Sequence, residues 1–456
     1  MRLLLLNPRY LAPEELKKRY DKYRGWIEKG NMYVHPFEPP LGLAYLVAYL
    51  SVRGHEAKVI DLQALDMDDA ELQKTLELER PEYVGITSMT PTYPSASALA
   101  KTIKSILPDA KVIMGGVHPT ILPEKVLENG NVDFVIRGEG EKALLSLMQS
   151  EPFEGIDGLC YKKDGKAVIK PKSRGFESLA ELPMADYGSF PAEKYIAYNM
   201  RLRGIRGLSM LVSRGCPYRC AFCAVEGAMG RKYRLKEPAA AVDEMAALKK
   251  KFSINGVWFK DSIFNLKKDW VMEFCEELIR RGLKMSWQIN TRVDLVDDEM
   301  LATMKRAGLT QVDLGIESGS QKTLDRLNKH ITIEQVRRAV ETVKRHVMVS
   351  GFFMIGVPGE TEQDVSETFQ FAKKLELDRY SFSIFVPLPG SDLYDELKAE
   401  GTISEDPDFG AMHFTDAARS YCEIPLPRLK SVFEEINNYF SSFDKTEISG
   451  TLKVNE

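Results

Sequence analysis

Three of the chain's six cysteines fall within eight residues of "SRGCPYRCAFCAVEG": Cys216, Cys220 and Cys223. Their spacing is C-x3-C-x2-C. A structural zinc site takes four ligands, usually as two close pairs. No second pair follows, since the next cysteine is Cys275, inside a helical pattern, and the next histidine is His330. A [4Fe–4S] cluster normally takes four thiolates. Three leave one iron open, and an open metal position can hold a substrate or cofactor. Gly215 and Pro217 bend the loop, while Arg214 and Arg219 bring positive charge near an anionic thiolate set. Chance clustering of packing cysteines is the plain alternative, although exposed loops rarely collect free thiols. Cys160 and Cys422 read as core or surface thiols rather than functional ones.

Around this loop stands a chain of 456 residues, long enough for two or three domains. Its hydrophobic fraction is 44% and its charged fraction 28%, the composition of a globular protein. With a formal net charge of −4 and no dense Lys/Arg block, nothing favours a nucleic-acid or membrane-surface partner. "MRLLLLNPRY" is too short an apolar run for a signal peptide or membrane span and reads as a buried first strand. The expectation is a cytoplasmic, reducing setting in which clustered cysteines mean metal rather than disulfides.

The elements that must position the cysteines alternate in two series. In residues 1–150, "RLLLLNP", "EAKVIDL", "YVGITSM", "KVIMGG" and "DFVIRG" have strand length, and amphipathic segments separate them. Continuous apolar strands between helices imply a parallel sheet covered on both faces, here a doubly wound Rossmann-like domain. Its ligands would bind at the strands' carboxyl ends, which read "NPRY", "TSMTPTYP", "GGVHPT" and "RGEGEKA". Each alone is also ordinary turn chemistry; four on one edge point to a ligand. The insertion between Arg9 and Pro39 reads as a long loop, functional or mobile. Residues 151–205 read as a hairpin and an extended linker. From 206 to 398, "LSMLVSRG", "GVWFKDS", "MSWQINTR", "QVDLGIES", "VSGFFMIGVP" and "YSFSIFVPLPG" alternate with helical patterns. Six β/α units suit an open, partial barrel with its site at the strands' carboxyl ends, where the cysteine loop falls. Residues 399–456 form a small α-rich extension.

With Phe222 before Cys223, the motif C-x3-C-x-φ-C resembles that of the radical S-adenosylmethionine (SAM) superfamily. The resemblance covers roughly residues 205–395. It implies a [4Fe–4S] cluster whose open iron chelates SAM, and reductive cleavage of SAM to a 5′-deoxyadenosyl radical. It also implies SAM contacts. "GIESGS" offers Glu317 and Ser318, which also fit a capped turn. "FKDSIFN" offers Asp261 with Phe264, although the family pattern more often shows two adjacent acids and this chain has Asp-Ser. "INTRVD" offers Arg292 to grip a carboxylate, against a surface ion pair as the bland reading. Strand ends five and six offer Ile355, Gly356 and Val386 to the adenine.

The first domain resembles the cobalamin-binding domain fused ahead of many such enzymes, through "PPLGLAYLVAYLSVRGHEAKVID", "GGVHPT" and "RGEGE". The corrinoid contacts this implies are Asn7, Pro8, Thr87, Ser88, Met89, Thr90, Gly115, Gly116, Val117, His118, Gly138, Glu139 and Gly140. A nucleotide tail would slot beside the sheet. The cobalt-ligating pattern D-x-H-x-x-G is absent, because Gly116 and Ile121 stand where Asp and Gly would. His118 is therefore expected to touch the corrin periphery or merely pack. Residues 1–159 contain no cysteine, so the second cluster of methylthiotransferases cannot form there.

These resemblances imply a cobalamin-dependent radical SAM enzyme that methylates an unactivated carbon. A non-methylating cyclisation, rearrangement or oxidation is the second reading, and a non-catalytic corrinoid and iron–sulfur carrier the third. The expected partners are a small-molecule or lipid-like substrate and an electron donor such as flavodoxin or ferredoxin. His35, Tyr93 and Tyr421 are further substrate-contact positions with little else behind them.

Overall fold

The computed structural model describes residues 2–10, 13–28 and 37–442. The leading apolar run forms β1 (Leu3–Asn7), with four of its five residues buried. It lies between the parallel strands β2 (Ala57–Asp61) and β3 (Tyr83–Thr87). β4 (Lys111–Gly115) and β5 (Phe134–Ile136) extend the sheet in the same sense. The order β2-β1-β3-β4-β5 reverses between β1 and β3, and open α/β sheets bind ligands beyond such a switch point. The helix Leu41–Ser51, which starts directly after Pro39 and Pro40, presses Leu43, Tyr45, Val47 and Leu50 inward.

The hairpin β6 (Leu159–Lys163) and β7 (Lys166–Val168) pairs antiparallel with β5 and belongs to this seven-stranded sheet. Leu159, Cys160 and Tyr161 are buried there, so the hairpin's apolar half finds its cover on the sheet.

The second sheet has six parallel strands: β8 (Gly207–Met210), β11 (Gly256–Phe259), β12 (Ser286–Arg292), β13 (Leu309–Glu317), β14 (Met348–Ile355) and β15 (Arg379–Ile384). Between β8 and β11, the short antiparallel pair β9 (Ser213–Arg214) and β10 (Arg234–Leu235) pins the base of the cysteine segment. Alternation sorts the strands' residues. Trp287, Ile289, Val312, Leu314 and Phe353 join the core under the helices. Trp258, Gln288, Asn290, Asp313 and Phe352 line the other face.

The Arg9–Pro39 insertion is not simply a loop, because Pro13–Glu28 is a helix. Trp26 anchors it, packing edge-on against Phe433 of the helix Leu426–Ser442 with ring centres 6.1 Å apart. Its indole also donates to Asn438 Oδ1 at 3.0 Å. His35 lies outside the described residues. No helix among the described residues is long and apolar enough to cross a membrane.

Candidate functional site

The cysteine segment is held at both ends. Cys216 N–H donates to Gly230 O at 3.2 Å, and Ala221 N–H to Leu327 O at 2.9 Å. Asp261, just past β11 and 1% exposed, accepts Val212 N–H at 3.0 Å, Ser213 N–H and the Ser213 hydroxyl. Burial pushes its carboxyl up to about 6 against those hydrogen bonds. Asp261 thus grips the start of the cysteine segment.

The three thiols feel one another. Burial raises Cys223 to about 11, and the charges of Cys220 and Cys216 add to the rise. Burial also raises Cys220, while Lys329 and Arg292 pull it down. Arg292 Nη1 lies 3.4 Å from Cys220 Sγ, and its guanidinium stacks on Tyr218 at 3.8 Å. Lys329 pairs with Glu317 at 2.7 Å. Glu317 adopts a left-handed φ of 70° where the register between β13 and β14 shifts. Such a bulge re-aims a side chain at a cost in backbone strain. The pair lies over Gly315, where a Cβ would stand 2.8 Å from Glu317 Oε1 and 2.9 Å from Lys329 Nζ.

The remaining expected SAM contacts divide. Val386 and the half-buried Phe222 share an apolar cluster with Ala221, Leu327 and Met354. Ile355 is excluded from it and joins the core on the opposite face, because neighbouring strand residues point opposite ways. Met354, its neighbour in the chain, is the residue that joins Val386 in the apolar cluster. Gly356 turns with a φ of 83° and donates its N–H to Glu360 Oε2 at 2.6 Å. The Ser318 hydroxyl is fully buried against Thr368 Oγ1 at 2.8 Å and joins the strand end to a helix. Arg214 turns away from the thiols and binds Glu139 at 3.1 Å and Glu141 at 2.6 Å. Arg219 is exposed. The cations beside Cys220 are Arg292 and Lys329; Lys329 had no motif to mark it.

A cavity of about 310 Å³ opens at the carboxyl edge of the first sheet. Thr87, Ser88, Met89, Gly115, Gly116, Val117, Gly138, Glu139 and Gly140 line it. It runs down beside the sheet, along Leu5, Gly85, Ile113 and Ile136, under Leu43 and Leu46 of the helix Leu41–Ser51. Its far wall comes from the other half of the molecule: Leu211, Arg214, Ala228 and Met229. Beside Gly42 the space is open, since a Cβ there would meet no atom of the described residues within 4 Å. Gly116 has a φ of 100°, and a Cβ there would lie 2.7 Å from Ser88 O.

Four expected corrinoid contacts stand back from this cavity. Asn7 donates to Asp61 Oδ1 at 3.1 Å, and Pro8 is buried beside it. His118 is wholly buried, stacked on Tyr93 at 4.3 Å and edge-on to Phe409 at 4.6 Å. Thr90 faces it, 3.4 Å from its Nδ1. Burial lowers the imidazole to about 3, so it is a neutral packed ring. Tyr93 is occupied by the same stack, and Tyr421 packs near Phe385 at 6.1 Å.

Two observations test these sites against the groups the motifs imply. Glu141, on the cavity wall, is 3% exposed, and its Oε2 has no hydrogen-bond partner among the described residues. A buried acceptor of that kind suits a ligand bearing amide donors, as a corrinoid does. Among the described residues no group of three or more Cys, His, Asp or Glu side chains is arranged to hold a metal ion. A cube takes its thiolates at separate irons, so they need not converge on one point. The cations beside Cys220 suit its negative charge.

Residues 210–372 match the family model of the Radical SAM superfamily, and residues 33–148 that of the B12 binding domain. An uncharacterized methyltransferase of Pyrococcus horikoshii is 32% identical over 437 residues, 91% of this chain and 94% of its own. An anaerobic magnesium-protoporphyrin IX monomethyl ester cyclase of Rubrivivax gelatinosus is 33% identical over 374 residues, 79% of this chain and 66% of the cyclase. The solved radical S-adenosylmethionine methyltransferase TsrM from Kitasatospora setae, with cobalamin and a [4Fe–4S] cluster bound, shares the fold. Its TM-score is 0.70 over 88% of this chain and 78% of TsrM, at 22% identity.

Proposed function

Because this chain belongs to the radical SAM enzymes that carry a B12-binding domain, we propose that it methylates an unactivated carbon of a small-molecule substrate. Its cofactors are a [4Fe–4S] cluster, SAM and cobalamin. When bound, the reduced cluster supplies the electron that cleaves SAM, and the corrinoid supplies the methyl group.

The chain's residues divide the remaining work. Cys216, Cys220 and Cys223 would hold three irons and leave the fourth to SAM. Arg292 would offset the cluster's charge from beside Cys220. Glu317 and Lys329 present one charge of each sign, which matches the ammonium and carboxylate of an amino acid. Asp261 would keep the cysteine segment in place. Thr87 to Met89, Gly115 to Val117 and Gly138 to Gly140 would line the corrinoid, with Glu141 Oε2 as an added acceptor. A flavodoxin- or ferredoxin-type donor would supply the electron.

One observation carries this reading: the cavity at the first sheet's edge is walled on its far side by residues flanking the cysteines. Two reactive groups held across one cavity gain the advantage of fixed proximity. The test is anaerobic turnover with reductant, counting 5′-deoxyadenosine and S-adenosylhomocysteine. Methylation yields both. 5′-Deoxyadenosine without S-adenosylhomocysteine would favour a non-methylating reaction, the reading to which the cyclase relative points.

A further inference from the structure

A second cavity, of about 430 Å³, lies on the inner face of the second sheet. Its wall includes Trp258, Lys260, Gln288, Asn290, Asp313 and Phe352, contributed by or next to four neighbouring strands. A chain of hydrogen bonds sets its floor. Arg379 donates to Gln311 Oε1 at 3.1 Å, and Gln311 Nε2 donates to Asp313 Oδ1 at 2.6 Å. That fixes one oxygen of Asp313. The other, Oδ2, has no hydrogen-bond partner among the described residues, and Asp313 has no ion-pair partner among them. Asn290 Oδ1 is likewise without a partner there, since the side chain only donates, to Phe259 O at 3.4 Å. Of the two cations on this wall, Lys260 is paired with Glu38 at 2.7 Å and Arg203 donates to Gln288 Oε1 at 3.1 Å.

These atoms discriminate between guests. A hydrocarbon filling the cavity would strip water from the Asp313 carboxylate and the Asn290 amide and return nothing. A guest with hydroxyl or ammonium donors would satisfy both, and charge-assisted bonds to a carboxylate are the strong kind. Trp258 is buried with the Arg203 guanidinium 4.6 Å from its ring centre, and Phe352 supplies the half-buried apolar surface beside Asp313.

We propose that this cavity holds the substrate, and that the substrate is a polar molecule presenting hydroxyl or ammonium donors to Asp313 and Asn290 rather than a lipid. The inference rests on the enzymatic reading above, whose substrate it narrows.

The test uses the anaerobically reconstituted full chain, with cluster and cobalamin loaded. Ethanolamine, a minimal carrier of both donor types, and benzene, which fills dry apolar cavities, are titrated by saturation-transfer NMR. Ethanolamine is expected to bind, and Asp313→Asn or Asn290→Ala to weaken it by about tenfold. Both variants should retain the wild-type optical spectrum, which shows that they fold and load. Benzene binding in competition with ethanolamine, no binding of ethanolamine, or ethanolamine binding unchanged by both variants overturns the proposal. SAM cleavage to 5′-deoxyadenosine without added substrate is measured on the same sample. Its failure contradicts the enzymatic reading and leaves the binding result to stand or fall separately.

Discussion

Arg292 and Lys329 stand beside Cys220, each held by a carboxylate, Asp294 at 2.9 Å and Glu317 at 2.7 Å. Replacing Cys216, Cys220 or Cys223 singly by Ala should abolish iron and sulfide retention after reconstitution, while Cys275→Ala, in a helix core, should leave both unchanged. Arg292→Ala should keep most iron but shift the cluster's reduction midpoint downward, since a nearby cation favours the more negative reduced state; redox titration followed by EPR checks this. Glu360 carries a pH signature. Burial pushes its carboxyl up to about 7, opposed by the N–H groups of Val357 and Gly356. A carboxyl that holds its proton more tightly when folded stabilises the fold in acid. That contribution is complete below the ordinary value of 4.5 and is lost as pH rises to about 7. The loss is about 3 kcal/mol by neutral pH. Glu360→Gln should therefore flatten the decline in stability between pH 4.5 and 7, read as urea midpoints of the apoprotein.

At the scale of elements, strands and their carboxyl edges were legible because buried parallel strands are continuous apolar runs. "RLLLLNP" and "KVIMGG" allow no other reading once helices flank them. The cysteine segment was legible because its spacing is chemistry rather than packing. Side-chain direction was not. Whether Ile355 or Met354 faces the cysteines depends on register within an almost wholly apolar strand, where alternation leaves no polar mark. His118 and Thr90 lie in short helical turns after β4 and β3, as the strand-end strings allow, but the stack of His118 on Phe409 needs a residue nearly 300 positions away. The Pro13–Glu28 helix is strongly charged and shows its apolar anchor, Trp26, only against the carboxyl-terminal helix. Gly116 is a test at this scale. Its left-handed backbone and contact with Ser88 leave no space for a methyl group. Gly116→Ala should cost roughly 1–3 kcal/mol and reduce cobalamin uptake while sparing iron content, by thermal denaturation and metal analysis.

In the whole molecule, Arg214 joins the two halves. It leaves the base of the cysteine segment and ends on Glu139 and Glu141, at the edge of the first sheet. With Glu141 buried and Arg214 and Glu139 mostly so, the join is costly to break from one side only. It also holds the walls of the 310 Å³ cavity at a set separation, with Glu141 Oε2 left over for a ligand. The central claim is that corrinoid and cluster occupy the two sides of that one space. EPR of the anaerobic protein carrying cob(II)alamin and the reduced cluster together tests it most directly. Mutual magnetic broadening, absent from samples holding either centre alone, is the predicted result; a spectrum that is the plain sum of the two separate signals would contradict it.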